Sequence, residues 1–133
     1  MNGTPKTGTV GEERFTVTQK HLIDFVYDGM PPILCTPWLI WFLEHAARNA
    51  VLPFLEAGES TVGIVVNVEH TAPTPVGADV VCRARVIMSD GPVISFQLEA
   101  FDEHEKIASG THKLRVIEAA RLTGRVQMKS NRL

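Results

Sequence analysis

From Leu34 to Leu55 the chain reads LCTPWLIWFLEHAARNAVLPFL, and its apolar positions 39, 43, 46, 47, 50 and 54 recur at helical spacing. Thr36 stands where an N-cap belongs. Pro37 follows at the first helical position, where a missing N–H costs nothing. One long helix is therefore predicted to about Leu52, with Pro53 disturbing its end. After Gly58 the period drops to two. Thr61 to Thr71 is rich in β-branched residues and is bounded by the proline-containing turn APTPVG. Ala78 to Met88 sets Val80, Cys82, Ala84 and Val86 on one face, with Arg83 and Arg85 on the other. Val93 to Phe101 sets Ile94, Phe96, Leu98 and Ala100 opposite Ser95, Gln97 and Glu99. Lys106 to Ile117 is the last predicted strand, and SDGP and Asp102 to Glu105 are the turns between. Ahead of the helix, Thr9 to Val17 alternates loosely as a first strand, and Thr18 caps a short turn over Gln19 to Phe25. YDGMPPI, interrupted by Gly29, Pro31 and Pro32, is a loop.

The predicted order is strand, long apolar helix, then four strands, an α+β pattern. Short turns between strands predict that sequence neighbours pair antiparallel, each with one buried face. A single helix with this much apolar surface is best buried on the concave side of a curled antiparallel sheet, which is the hot-dog fold. Each large side chain buried there contributes about 1.5 to 3 kcal/mol. Trp38, Trp41 and Phe42 leave the helix in several directions, so some of its surface is expected to meet a second subunit in a homodimer or higher homo-oligomer. Residues 1–118 form a single predicted domain, and 119–133 a flexible basic tail.

Composition narrows the class. At 133 residues the chain is long enough for one core. A net charge of -2 gives no reason to expect nucleic acid or an anionic membrane as partner. No apolar run reaches the roughly 18 to 20 residues of a membrane span, because Glu44 and Arg48 interrupt the best candidate. MNGTPKTGTVGEE lacks the apolar stretch of a signal peptide, and a cytoplasmic protein is expected. Cys35 and Cys82 belong to no CxxC pair, which fits reduced thiols rather than a zinc site. The histidines form no HExxH motif, and adjacent Glu44 and His45 splay about 100° apart on a helix, so no metal is expected.

Three polar residues stand out against this apolar background. Thr36 opens the helix, Glu44 follows eight residues later, and His70 continues the row Val62, Ile64, Val66 and Val68. By the same counting Gly63, Val65, Asn67 and Glu69 take the opposite face. Each has a plain structural explanation. Thr36 can cap its helix for about 1 kcal/mol. Glu44 can pair with Arg48 at i,i+4 for about a few tenths of a kcal/mol. His70 can bond a backbone carbonyl. Together, however, a hydroxyl, a carboxylate and an imidazole supply a possible nucleophile, an acid/base and a proton shuttle.

The segments CTPWLIWFLEHAA and TVGIVVNVEHTAPTPVGADV resemble the fluoroacetyl-CoA thioesterase family of hot-dog enzymes, and the resemblance spans residues 9–118. It implies a Thr, Glu and His catalytic set at Thr36, Glu44 and His70. Gly63 is implied as the point where the thioester approaches the backbone, as a missing Cβ permits. Where the family carries aromatic lid residues, VYDGMPPI offers Tyr27 and Met30 as the residues facing substrate. The resemblance thus implies hydrolysis of a small acyl-CoA to free acid and CoA, with CoA part of the substrate and no other cofactor. It does not extend to a fluoroacetyl preference. Two alternatives keep the fold: an enoyl-CoA hydratase or dehydratase, and a non-catalytic acyl-CoA-binding module. Arg83, Arg85, Arg115 and the tail RLTGRVQMKSNRL form either a solvated surface or a cationic patch for CoA phosphates.

Overall fold

The computed structural model describes residues 1–133, the side chain of Val26 excepted. Strand β1 (Val10–Thr16) leads, through two short 3-10 turns, into helix α1 (Thr36–Val51). Strands β2 (Glu59–His70), β3 (Asp79–Asp90), β4 (Val93–Phe101) and β5 (Lys106–Glu118) follow, and helix α2 (Ala119–Ser130) closes the chain. All five strands form one antiparallel sheet in the order β1-β3-β4-β5-β2, and α1 lies in its curl. This is the hot-dog fold.

Alternation in the sequence translates directly into burial. Val80, Cys82, Ala84 and Val86 of β3 and Ile94, Phe96, Leu98 and Ala100 of β4 are each at most 1% exposed. They meet the buried Leu39, Leu43, Ala46 and Ala47 of α1. The helix sits so close to β1 that a Cβ on Gly11 would lie 2.1 Å from the Ala46 carbonyl oxygen. It leans mainly on β1 and β3 and only lightly on β2. The inward face of β2 is therefore half open, with Val66 still 40% exposed.

The strand pairing differs from expectation in one place. Tight turns do make β3–β4 and β4–β5 neighbours, but β2 pairs with β5 rather than β3. The link from Thr71 to Ala78 contains Pro73 and Pro75 and is no hairpin turn; it carries the chain across to the other side of the sheet. As a result β2 is an edge strand.

A second difference lies inside β2. Gly63 pairs with Leu114 and Val65 with Lys113, so Ile64 is an extra, unpaired residue, a β-bulge. The bulge shifts the alternation by one. Gly63, Val66, Val68 and His70 all face inward, opposite Leu114, His112, Gly110 and Ala108. Counting in twos had put Gly63 and His70 on opposite faces. At the C-terminus, residues expected as a tail form α2, anchored where Ala119 N–H donates to the Gly58 carbonyl at 2.9 Å. Leu122 and Val126 stand one turn apart on it, the spacing that gives a helix an apolar side.

Candidate active site

The N-cap of α1 is Cys35, which makes no side-chain cap bond, and Thr36 is already the first helical residue. Its hydroxyl lies 2.8 Å from Nδ1 of His70. Capping therefore does not explain Thr36. Its partner is a residue 34 positions away, brought over by the end of β2. Burial pushes the His70 imidazole below its ordinary range, and the Ala72 carbonyl opposes that shift. Nε2 of His70 is buried without a hydrogen-bond partner among the described residues. A neutral ring with its proton on Nε2 leaves Nδ1 to accept from the Thr36 hydroxyl, which is the arrangement of an activated alcohol.

Glu44 occupies a different part of the cleft. With Arg48, Thr61, Gly63 and His112 it lines a cavity of about 160 Å³. A Cβ added to Gly63 would lie 2.9 Å from Glu44 Oε1 and 3.3 Å from His112 Cε1. The glycine is thus what lets a carboxylate and an imidazole come up beneath the strand. Arg48 does not pair with Glu44 among the described residues. Its Nη1 donates instead to Ser60 Oγ at 3.2 Å and Thr61 Oγ1 at 3.0 Å.

His112 was missed in the sequence. It is 1% exposed, and its Nδ1 lies 3.0 Å from the Val65 carbonyl oxygen. Because a carbonyl only accepts, that nitrogen carries the proton, and the ring's lone pair is left on Nε2. Burial lowers its pKa, while the charge of Glu44 and the Val65 carbonyl act in the opposite direction. A signal did exist. His112 shares the inward row of β5 with Leu114 and Val116, an imidazole at a position the alternation reserves for apolar residues.

Within one chain the structure joins Thr36 to His70 and Glu44 to Gly63, but not the two groups to each other. Eight residues of α-helix separate Thr36 from Glu44, a rise of about 12 Å. Tyr27 is 83% exposed and Met30 39%, and neither lines the hollow beside Thr36. That hollow, about 420 Å³, is bordered by Leu22, Phe25, Cys35 and Trp38 instead. Among the described residues no group of three or more His, Cys, Asp or Glu side chains is placed to hold a metal ion. Nor is any helix long and apolar enough to cross a membrane.

Comparison with known proteins adds a third line. The profile of the fluoroacetyl-CoA-specific thioesterase family matches residues 17–120. The fluoroacetyl-CoA thioesterase of Streptantibioticus cattleyicolor is 33% identical over 100 residues, covering 75% of this chain and 72% of that enzyme. A solved structure of the fluoroacetyl-CoA thioesterase FlK superposes with a TM-score of 0.86 at 28% identity, over 93% of this chain and 96% of that one. A Thermus thermophilus protein described as a thioesterase superfamily member superposes with a TM-score of 0.88 at 26% identity, over 96% of this chain and 95% of its own.

Proposed function

Because this chain belongs to the fluoroacetyl-CoA-specific thioesterase family, we propose that it hydrolyses a small acyl-CoA to the free acid and CoA, with Thr36, Glu44 and His70 as its catalytic set. The observation that carries this reading is the 2.8 Å contact between the Thr36 hydroxyl and His70 Nδ1. A threonine hydroxyl is a weak nucleophile until a base takes its proton, and a neutral imidazole at hydrogen-bond distance is such a base. Burial favours the neutral form of the ring. The cavity of about 160 Å³ beside Glu44 and Gly63 suits a short acyl group.

The two half-sites are completed by a second copy of the chain. Strand β2 is an edge, and Ile64, Val65 and Val66 in its middle are 44%, 45% and 40% exposed. Such an edge invites antiparallel pairing with its own copy. A two-fold axis at Asn67 sets Gly63 of one copy across from His70 of its partner, since each lies three ladder positions from Asn67 once the bulged Ile64 is passed over. Glu44, held beneath Gly63, then faces the Thr36–His70 pair of the other copy across a shared cleft. His112 lines the same cavity as the carboxylate, its own ring held by the Val65 carbonyl. Cys35 and Cys82 are unpaired. Burial pushes the Cys82 thiol up to about 12, and two unpaired cysteines suit a reducing cytoplasm.

A panel of short acyl-CoA thioesters read with a thiol-reactive dye tests the proposal. Thiol release that disappears in Thr36→Ala supports it. An absorbance change at an enoyl bond without thiol release overturns it in favour of a hydratase, and saturable binding without either change reduces the protein to a binding module.

A further inference from the structure

A groove of about 630 Å³ runs between the end of β5 and α2, and three guanidinium groups line it: Arg115 from β5, and Arg121 and Arg125 from α2. None of the three forms an ion pair among the described residues. Arg83 is different, since its Nε donates to Glu12 at 2.8 Å on the opposite side of the sheet. Two carboxylates also border the groove, Glu59 and Glu118. Glu59 is already engaged, accepting from the Met1 amino group at 2.9 Å. The wall is completed by apolar side chains, Val116 and Leu122 among them. Concentrated positive charge beside an apolar wall fits a ligand that is both multiply phosphorylated and aromatic.

The groove also lies at a defined distance from the chemistry. Arg115 pairs with Val62 and Leu114 with Gly63, so the groove and the Glu44 cavity border neighbouring rungs of the same β2–β5 ladder. From Gly63 back to Glu59 the strand covers about 13 Å, and because Arg115 faces outward while Gly63 faces inward, a pantetheine arm joins the two by passing round the end of the sheet there. We propose that this groove holds the phosphorylated nucleotide end of CoA, with Arg115, Arg121 and Arg125 on the phosphates and Val116 and Leu122 against the base. The assignment rests on the thioesterase reading. It gives α2 a purpose its burial does not, since no residue of that helix is buried.

The test compares one acyl group carried by CoA with the same group carried by pantetheine, which lacks the nucleotide. The wild-type protein should show a KM about tenfold or more lower for the CoA thioester, and added salt should narrow the gap. The double variant Arg121→Gln/Arg125→Gln, on a solvent-facing helix, should raise KM for the CoA thioester until the preference disappears. Equal KM values for the two substrates in the wild type, or the same ratio in both proteins, would falsify the assignment while leaving the thioesterase intact. If neither thioester is turned over, the thioesterase reading is what fails, and calorimetry with free CoA still decides the groove. Weaker binding to the double variant supports it, and equal binding overturns it.

Discussion

At the scale of single residues the decisive contact is a hydroxyl drawn away from its own helix. Thr36 sits one residue inside the N-cap, and its Oγ1 meets His70 rather than a backbone N–H. Removing that hydroxyl as Thr36→Ala should therefore cost little stability but lower kcat by about a hundredfold or more. Thr36→Ser should recover most of the rate, because it keeps the oxygen. Comparing kcat with the urea midpoint of each variant checks both halves. Nearby, burial sets the imidazole below its usual 6.5. The base form of His70 is then populated at lower pH than for a free histidine. The rate should rise as pH increases through a midpoint below 6.5 and be flat across neutrality. A profile measured on a short acyl-CoA checks this, and a midpoint above 7 would contradict His70 as the base.

Among the elements, β2 does more than close the sheet. The bulge at Ile64 turns Gly63 inward over Glu44 and His112, while the end of the same strand delivers His70 to Thr36. Gly63→Ala would put a methyl 2.9 Å from Glu44 Oε1. The far end of a flexible side chain can swing aside, so the fold should tolerate the change. Displacing that carboxylate by about an ångström should nonetheless reduce kcat by about a hundredfold, with the thermal midpoint nearly unmoved. The exposed edge of β2 is the second consequence. Val65→Lys places a charge in the middle of the strand, where it should block edge-to-edge pairing without disturbing a side chain of the core. Sedimentation should show a monomer in place of a dimer, and turnover should be lost with it. An active monomer would contradict a site shared between two copies.

For the whole molecule the buried imidazoles set an acid limit. Burial lowers the pKa of His21, His70 and His112 alike. Unfolding frees each ring to take up a proton near 6.5, so below that pH the unfolded state binds more protons than the folded one. Stability from these three groups is fully present above about 6.5 and is lost as pH falls through their lower folded values. Urea midpoints should accordingly be level from pH 8 to 7 and fall progressively toward pH 5, and a midpoint that rose on acidification would refute the shared direction of the shifts.

Much of this architecture was legible in one dimension. The alternation of Val80 to Val86 and Ile94 to Ala100, and the helical spacing from Leu39 to Ala50, report which side of each element meets the core, because burial acts on every second or every third to fourth residue. The resemblance of the Thr36, Glu44 and His70 segments to a family added a candidate chemistry. Three matters lay beyond reach: the pairing of β2 with β5, the bulge that brings Gly63 and His70 to one face, and the meeting of His112 with Glu44. Each depends on contacts between residues distant in the chain, and local periodicity carries no record of them. Hydrophobic pattern thus determined the long helix, the strands and the inward faces of β3 and β4, but neither the inward face of β2 nor helix α2, because it is a property of neighbours along the chain. Only the tertiary structure decided which polar groups meet, because an extra residue in one strand and the choice of partner strand are settled by packing across the whole sheet.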